Sequence, residues 1–135
     1  MSDRRARGDW QTPLALARQL VATLDVAPAT VIEPTCGRGA FLQAAAERWP
    51  HARLVGLDLH EGHLDHARRA VPPAELVAAD AFEEDWARRL DRPGPVLVLG
   101  NPPWVTVSTL GALGRGRSPR RRSTGLTGME ALTGK

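Results

Sequence analysis

Apolar and polar positions along this chain follow two alternating periods. Over residues 12–24, Leu14, Ala17, Leu20, Val21 and Leu24 fall on one helical stripe, with Thr12 as a cap and Pro13 in the first turn. A short apolar run at 29–33, centred on Thr30-Val31-Ile32, predicts a buried strand. Gly37-Arg38-Gly39 then breaks the chain, and residues 40–49, rich in Ala, Leu, Gln and Glu, predict a helix. Residues 53–59 predict a second strand, with Asp58 near its end. A helix over 61–70 is stopped by Pro72-Pro73. The third strand, 75–79, ends at Asp80; a third crossover helix spans 83–90. A fourth strand, 95–99, runs at once into Asn101-Pro102-Pro103-Trp104.

Strands that alternate with helices imply parallel pairing, because parallel neighbours need long crossovers. Near-continuous apolar strands imply a sheet covered on both faces. The expected fold class is therefore α/β, a doubly wound and mostly parallel sheet of which four strands can be counted. In such sheets ligands sit beyond the carboxyl ends of the strands, and Glu33, Asp58, Asp80 and Asn101 all fall there. After residue 106 the periodicity stops. Residues 107–135, dominated by Gly, Ser, Pro and Arg, are expected to be a loop or disordered tail.

Composition narrows the class. The chain has 135 residues, 42% of them hydrophobic, which suits one modest domain and excludes disorder throughout. No apolar run approaches the roughly 18–20 residues that span a bilayer, and Met1-Ser2-Asp3-Arg4-Arg5 leads into no apolar stretch, so neither membrane nor signal peptide is expected. A lone Cys36 excludes an internal disulfide and a multi-cysteine zinc site. A bacterial-type cytoplasm is the expected location. Net charge is +3, but residues 1–106 carry −2 and residues 107–135 carry +5. The basic balance is thus a property of the tail, and weak support for a nucleic-acid partner.

Candidate chemistry lies at the strand ends. Glu33-Pro34-Thr35-Cys36-Gly37-Arg38-Gly39-Ala40-Phe41 is a glycine-rich strand-to-helix turn, where a ligand can approach backbone and helix N-terminus. Its acid would repel a pyrophosphate and suit a ligand with an amino group. Asp58 lies 19 positions after Gly39, about where an acid typically receives ribose hydroxyls. Asp80 can accept from an adenine amine while Phe82 covers a ring face. Each of these also has a plain structural reading, as a turn, a strand-end acid, a helix cap and a core residue. In Asn101-Pro102-Pro103-Trp104, the prolines stiffen the turn. The Asn amide oxygen and a neighbouring carbonyl could then accept from one exocyclic amine, leaving its lone pair aimed at an electrophile, with Trp104 as a stacking face.

In this order the pieces resemble the S-adenosylmethionine-dependent amino-methyltransferases, above all the N6-adenine DNA methyltransferases. Asp9-Trp10-Gln11-Thr12-Pro13 resembles the segment before their first strand. Glu33 to Phe41 resembles their cofactor motif, and Asn101 to Trp104 their catalytic motif. The resemblance implies that Gln11 and Thr12 hold the methionine carboxylate. Glu33 and Pro34, with the Gly37 and Gly39 backbone, hold the methionine part and its amine. Asp58 takes the ribose, and Asp80 and Phe82 the adenine. Asn101 and Pro102 orient the target amine of a base flipped from double-stranded DNA, beside Pro103 and Trp104. A restriction subunit is an implied partner. The family's sheet has more strands than the four counted here, so the resemblance also implies a missing C-terminal half and activity that depends on it.

The same tetrapeptide marks methyltransferases of protein glutamine and of RNA guanine, and a cofactor-binding remnant without activity is a further alternative. His60, His63 and His66 recur at three-residue spacing, which rotates around a helix and does not suit one tetrahedral metal; a solvated helix face is expected. Cys36 is expected to be a small buried side chain. Arg115, Arg117 and Arg120-Arg121-Arg122 could contact phosphates or belong to a basic tail.

Overall fold

A computed structural model describes residues 11–102. Its elements run α1 (Leu14–Ala22), β1 (Thr30–Glu33), α2 (Ala40–Arg48), β2 (Arg53–Asp58), α3 (Glu61–Ala70), β3 (Glu75–Ala78), α4 (Trp86–Leu90) and β4 (Val96–Val98). The four strands pair in parallel in the order β3-β2-β1-β4. The sheet grows outward from β1 through β2 to β3, then returns to place β4 on the other side of β1. That reversal is the point at which such sheets open a ligand crevice.

Alternate strand residues face opposite ways. Val31 and Leu54, with Leu76 and Leu97, meet Ala17 and Val21 of α1, Phe41, Leu42 and Ala45 of α2, and Leu64 of α3. Ile32, Val55 and Leu57 point the other way, towards Val77, Val96 and Trp86. Three helices therefore cover one face and α4 the other, the expected doubly wound α/β architecture. Ile32, Leu42, Leu57 and Leu64 are fully buried. Each contributes about 1.5–3 kcal/mol relative to an exposed side chain. The Trp49 indole N–H donates to the Val26 carbonyl at 2.9 Å and that of Trp86 to Ala81 at 2.8 Å, so neither large ring is buried with an unmet donor.

The structure departs from the sequence expectations in three places. Thr12 does not cap α1. Pro13 is the N-cap, and its carbonyl accepts from Ala17 N–H at 3.0 Å; its ψ of 136° is extended rather than helical, so the helix begins one residue later than expected. The helix expected over 83–90 shrinks to α4. Asp80 Oδ1 takes the Phe82 N–H and Asp85 takes the Arg88 N–H, so two aspartates draw the preceding backbone into a turn. Both faces are closed only over β1 and β2: Thr30–Glu33 is buried throughout, whereas β3 is mostly half-buried and Val98 of β4 is exposed.

Asp9, Trp10, Pro103, Trp104, the Arg115–Arg122 cluster and the rest of 107–135 lie outside the described residues.

Candidate cofactor and active site

The carboxyl ends of the four strands lie along one edge, in the order Asp80, Asp58, Glu33, Asn101. The centre of this edge is the turn from β1 to α2. Gly37 and Gly39 have φ of 51° and 86°, in the left-handed region where a side chain is strained. A Cβ on Gly39 would stand 3.1 Å from that of Ala67, so glycine also lets the turn pack against α3. Cys36 N–H donates to Leu57 O at 2.7 Å, and Gly39 N–H to Cys36 O at 2.8 Å.

Side chains from other elements tie this turn down. Gly37 N–H donates to Asp58 Oδ2 at 2.8 Å, and Arg38 N–H to Gln11 Oε1 at 3.0 Å. Gln11, just before α1, is thus brought to the turn. Asp58 Oδ1 accepts the His60 N–H at 2.8 Å and lies 3.3 Å from His63 Nδ1.

Glu33 is only 3% exposed. Burial holds its carboxyl well above the usual carboxylate range. A hydrogen bond from the Leu42 backbone opposes this, and the nearby charge of Asp58 adds to it. Among the described residues its Oε2 is buried without a hydrogen-bond partner. Such an atom costs about 1–3 kcal/mol unless a ligand meets it. Burial also pushes the Cys36 thiol up, aided by Glu33 and Asp58, so it stays a protonated, inert core group as expected.

The outer ends of the edge are different. Asp80 is half-buried and engaged with Phe82 N–H, while the Phe82 ring is 86% exposed and not a core residue. Pro34 is half-buried, and Asn101 and Pro102 are exposed. Leu99 N–H donates to Ile32 O at 3.1 Å, and a Cβ on Gly100 would stand 3.3 Å from Glu33 Cγ. The start of the Asn101 motif is therefore set directly beside Glu33.

One residue departs from expectation. His63 is not on a solvated helix face; its side chain is 17% exposed and turned to Asp58. His60 and His66 are exposed, as expected, with the His60 ring edge-on to that of His63 at 5.1 Å. The signal that could have found His63 is its place in the first turn of α3, five residues after a strand-end acid.

Comparison with known proteins bears on this four-stranded sheet. Residues 31–94 match the methyltransferase domain family. Over this stretch the chain is similar to a methyltransferase domain. The type II methyltransferase M.NspV of Nostoc sp. is 31% identical over 95% of this chain and 29% of its own length. A ribosomal RNA small subunit methyltransferase A of Salinibacter ruber is 35% identical over 70% of this chain and 32% of its own. Other relatives are named trans-aconitate 2-methyltransferases. Among solved structures, TrmN from Thermus thermophilus superposes with a TM-score of 0.50 and 29% identity, over 74% of this chain and 32% of that one. The chain thus spans less than a third of the length of these relatives.

The fold is that of the class I methyltransferases, and the cofactor is S-adenosylmethionine. The residues present fit it. The buried Glu33 oxygen offers an unmet acceptor to an amine, Asp58 has acceptor capacity to spare on Oδ2, and the glycine turn admits a ligand to its backbone.

Proposed function

We propose that this chain is the cofactor-binding part of an enzyme that methylates the exocyclic N6 amine of adenine in double-stranded DNA. The observation that carries this reading is the order Asp80, Asp58, Glu33, Asn101 along the sheet edge. Adenine, ribose and methionine follow one another in the same order in the cofactor, and the target-amine motif comes last.

When bound, the cofactor supplies an already activated methyl group. The protein's task is therefore placement rather than strong base catalysis. Gln11 and Thr12 hold the methionine carboxylate. Glu33 receives the methionine amine, and Pro34 with the Gly37 and Gly39 backbone shapes the turn around it. Asp58 receives the ribose, Asp80 the adenine amine, and Phe82 covers the ring. The Asn101 side-chain oxygen and the Pro102 carbonyl accept the N–H bonds of the flipped adenine, leaving its lone pair free. Pro103 stiffens the loop and Trp104 stacks on the base.

Residues 1–106 form the cofactor half and residues 107–135 an Arg- and Gly-rich loop. Transfer needs further strands, because β4 presents an edge among the described residues. The enzyme works in a bacterial-type cytoplasm, with a restriction subunit as its counterpart. The Trp10-Gln11-Thr12-Pro13 segment and the type II relative over 95% of the chain support the DNA substrate. A second reading, an amine of RNA, is favoured by the ribosomal RNA relative.

The test is to incubate the full-length protein with labelled cofactor and, separately, DNA, RNA or a release-factor-like protein. Label at adenine N6 in DNA is expected. Asn101→Ala should cut transfer by at least about 100-fold while cofactor binding persists. Label in RNA or protein alone would overturn the substrate, and binding without any transfer would mark a cofactor-binding remnant.

A further inference from the structure

Asp58 is more fully engaged than a ligand-receiving acid needs to be. An ionised carboxylate only accepts, with about four lone-pair directions, two on each oxygen. His60 N–H and His63 Nδ1 both meet Oδ1, at 2.8 and 3.3 Å, and Gly37 N–H meets Oδ2 at 2.8 Å. Because the carboxylate cannot donate, His63 must carry its proton on Nδ1. That leaves one strong acceptor direction, on Oδ2. Asp58 and His63 side chains are only 11% and 17% exposed, so water competes little for these bonds. Helix α3 fixes the imidazole: His63 N–H donates to His60 O at 2.9 Å, and the His60 ring packs edge-on against it. The charged groups facing Asp58 from elsewhere do not replace His63, since Glu33 is an acid and the turn contributes a backbone N–H alone.

We infer that His63 is a positioning residue for cofactor specificity: by saturating Oδ1 it fixes the Asp58 carboxylate so that a single ribose hydroxyl is received, through Oδ2. The inference rests on Asp58 being the ribose acid and goes further, since it assigns a role to a histidine on α3 and predicts unequal weight for the two hydroxyls.

The test titrates the 135-residue chain with S-adenosylhomocysteine and with its 2′-deoxy and 3′-deoxy forms, by calorimetry. In the unaltered chain one deoxy form should lose about 10-fold or more in affinity and the other about 3-fold or less. His63→Ala should weaken the parent ligand about 10-fold, yet leave the affinity for the sensitive deoxy form unchanged, because the bond it orients is already absent. His63→Asn, which puts an N–H near the Nδ1 position, should restore binding to within about 3-fold, and His63→Gln should not. Where the alanine variant loses its helical circular dichroism, the Asn–Gln contrast decides. Equal weakening of parent and deoxy ligands by His63→Ala, no weakening, or equal behaviour of Asn and Gln would overturn the role of His63. Indifference of the unaltered chain to both deoxy forms would instead overturn Asp58 as the ribose acid, and absence of binding would overturn the cofactor site itself.

Discussion

The two inner strands and the two outer strands end in different kinds of place. β1 and β2 finish in Glu33 and Asp58, both shielded from water and knitted to the glycine turn, to Gln11 and to the first turn of α3. β3 and β4 finish in Asp80 with an exposed Phe82, and in an exposed Asn101. The cause is the topology: inner strands have a neighbour on each side, and the face carrying α1, α2 and α3 packs most deeply over them. Such a division prepares the amine- and ribose-receiving groups in advance. It leaves the ring-covering and target-facing groups to be completed by what binds, since surface groups carry little of the folding energy.

Three substitutions probe that division, in decreasing order of effect. Asp58→Ala strips the acceptor from two backbone N–H groups and from His63. It should weaken S-adenosylhomocysteine binding by about 100-fold or more and cost about 1–3 kcal/mol of stability, read by calorimetry and urea melts. Unchanged stability would mean that the inner site is not knitted as described.

Glu33→Gln separates binding from folding. A carboxyl whose pKa rises on folding binds its proton more tightly in the native state. The ligand-free protein therefore gains stability as pH falls towards the ordinary carboxyl value of 4.5 and loses it as pH rises through the raised value. The Gln variant should lack this slope, with a higher melting temperature than the parent at about pH 8 and a similar one near pH 4, while cofactor binding falls about 10-fold. Thermal melts across pH check the sign. A parent that gains stability on going from acid to alkaline pH through Glu33 would contradict the buried, unpartnered carboxyl.

Phe82→Ala should do least. With the ring 86% exposed, stability should change by less than about 0.5 kcal/mol. Cofactor affinity should fall by about 0.5–1.5 kcal/mol, the worth of an aromatic contact. A large loss of stability would place Phe82 in the core and erase the contrast between inner and outer ends.

Much of this was legible in the chain. The spacing of apolar residues located all four strands to within a residue or two, because strands packed under crossover helices are short apolar runs, buried through β1 and the middle of β2 and mostly half-buried in β3 and β4. The parallel pairing followed from the crossovers. Glycine at 37 and 39 announced a backbone that needs positive φ. What misled were residues whose local and tertiary roles compete. Asp85 read as part of a helix, but its carboxylate took the Arg88 N–H and the helix begins only after it. His63 read as one of three surface histidines, because helical spacing says which residues share a face and not what that face meets.

By itself, then, the sequence determined the alternation of strands and helices, the parallel sheet, the glycine turn and the motifs at the strand ends, all of which depend on local periodicity and backbone conformation. Only the tertiary structure decided that Glu33 is sealed with an unpartnered oxygen, that Gly100 lies against it, and that Asp58 is gripped from two elements. These facts depend on which strand lies beside which and how deeply, and burial and long-range hydrogen bonding leave no periodic trace in a chain.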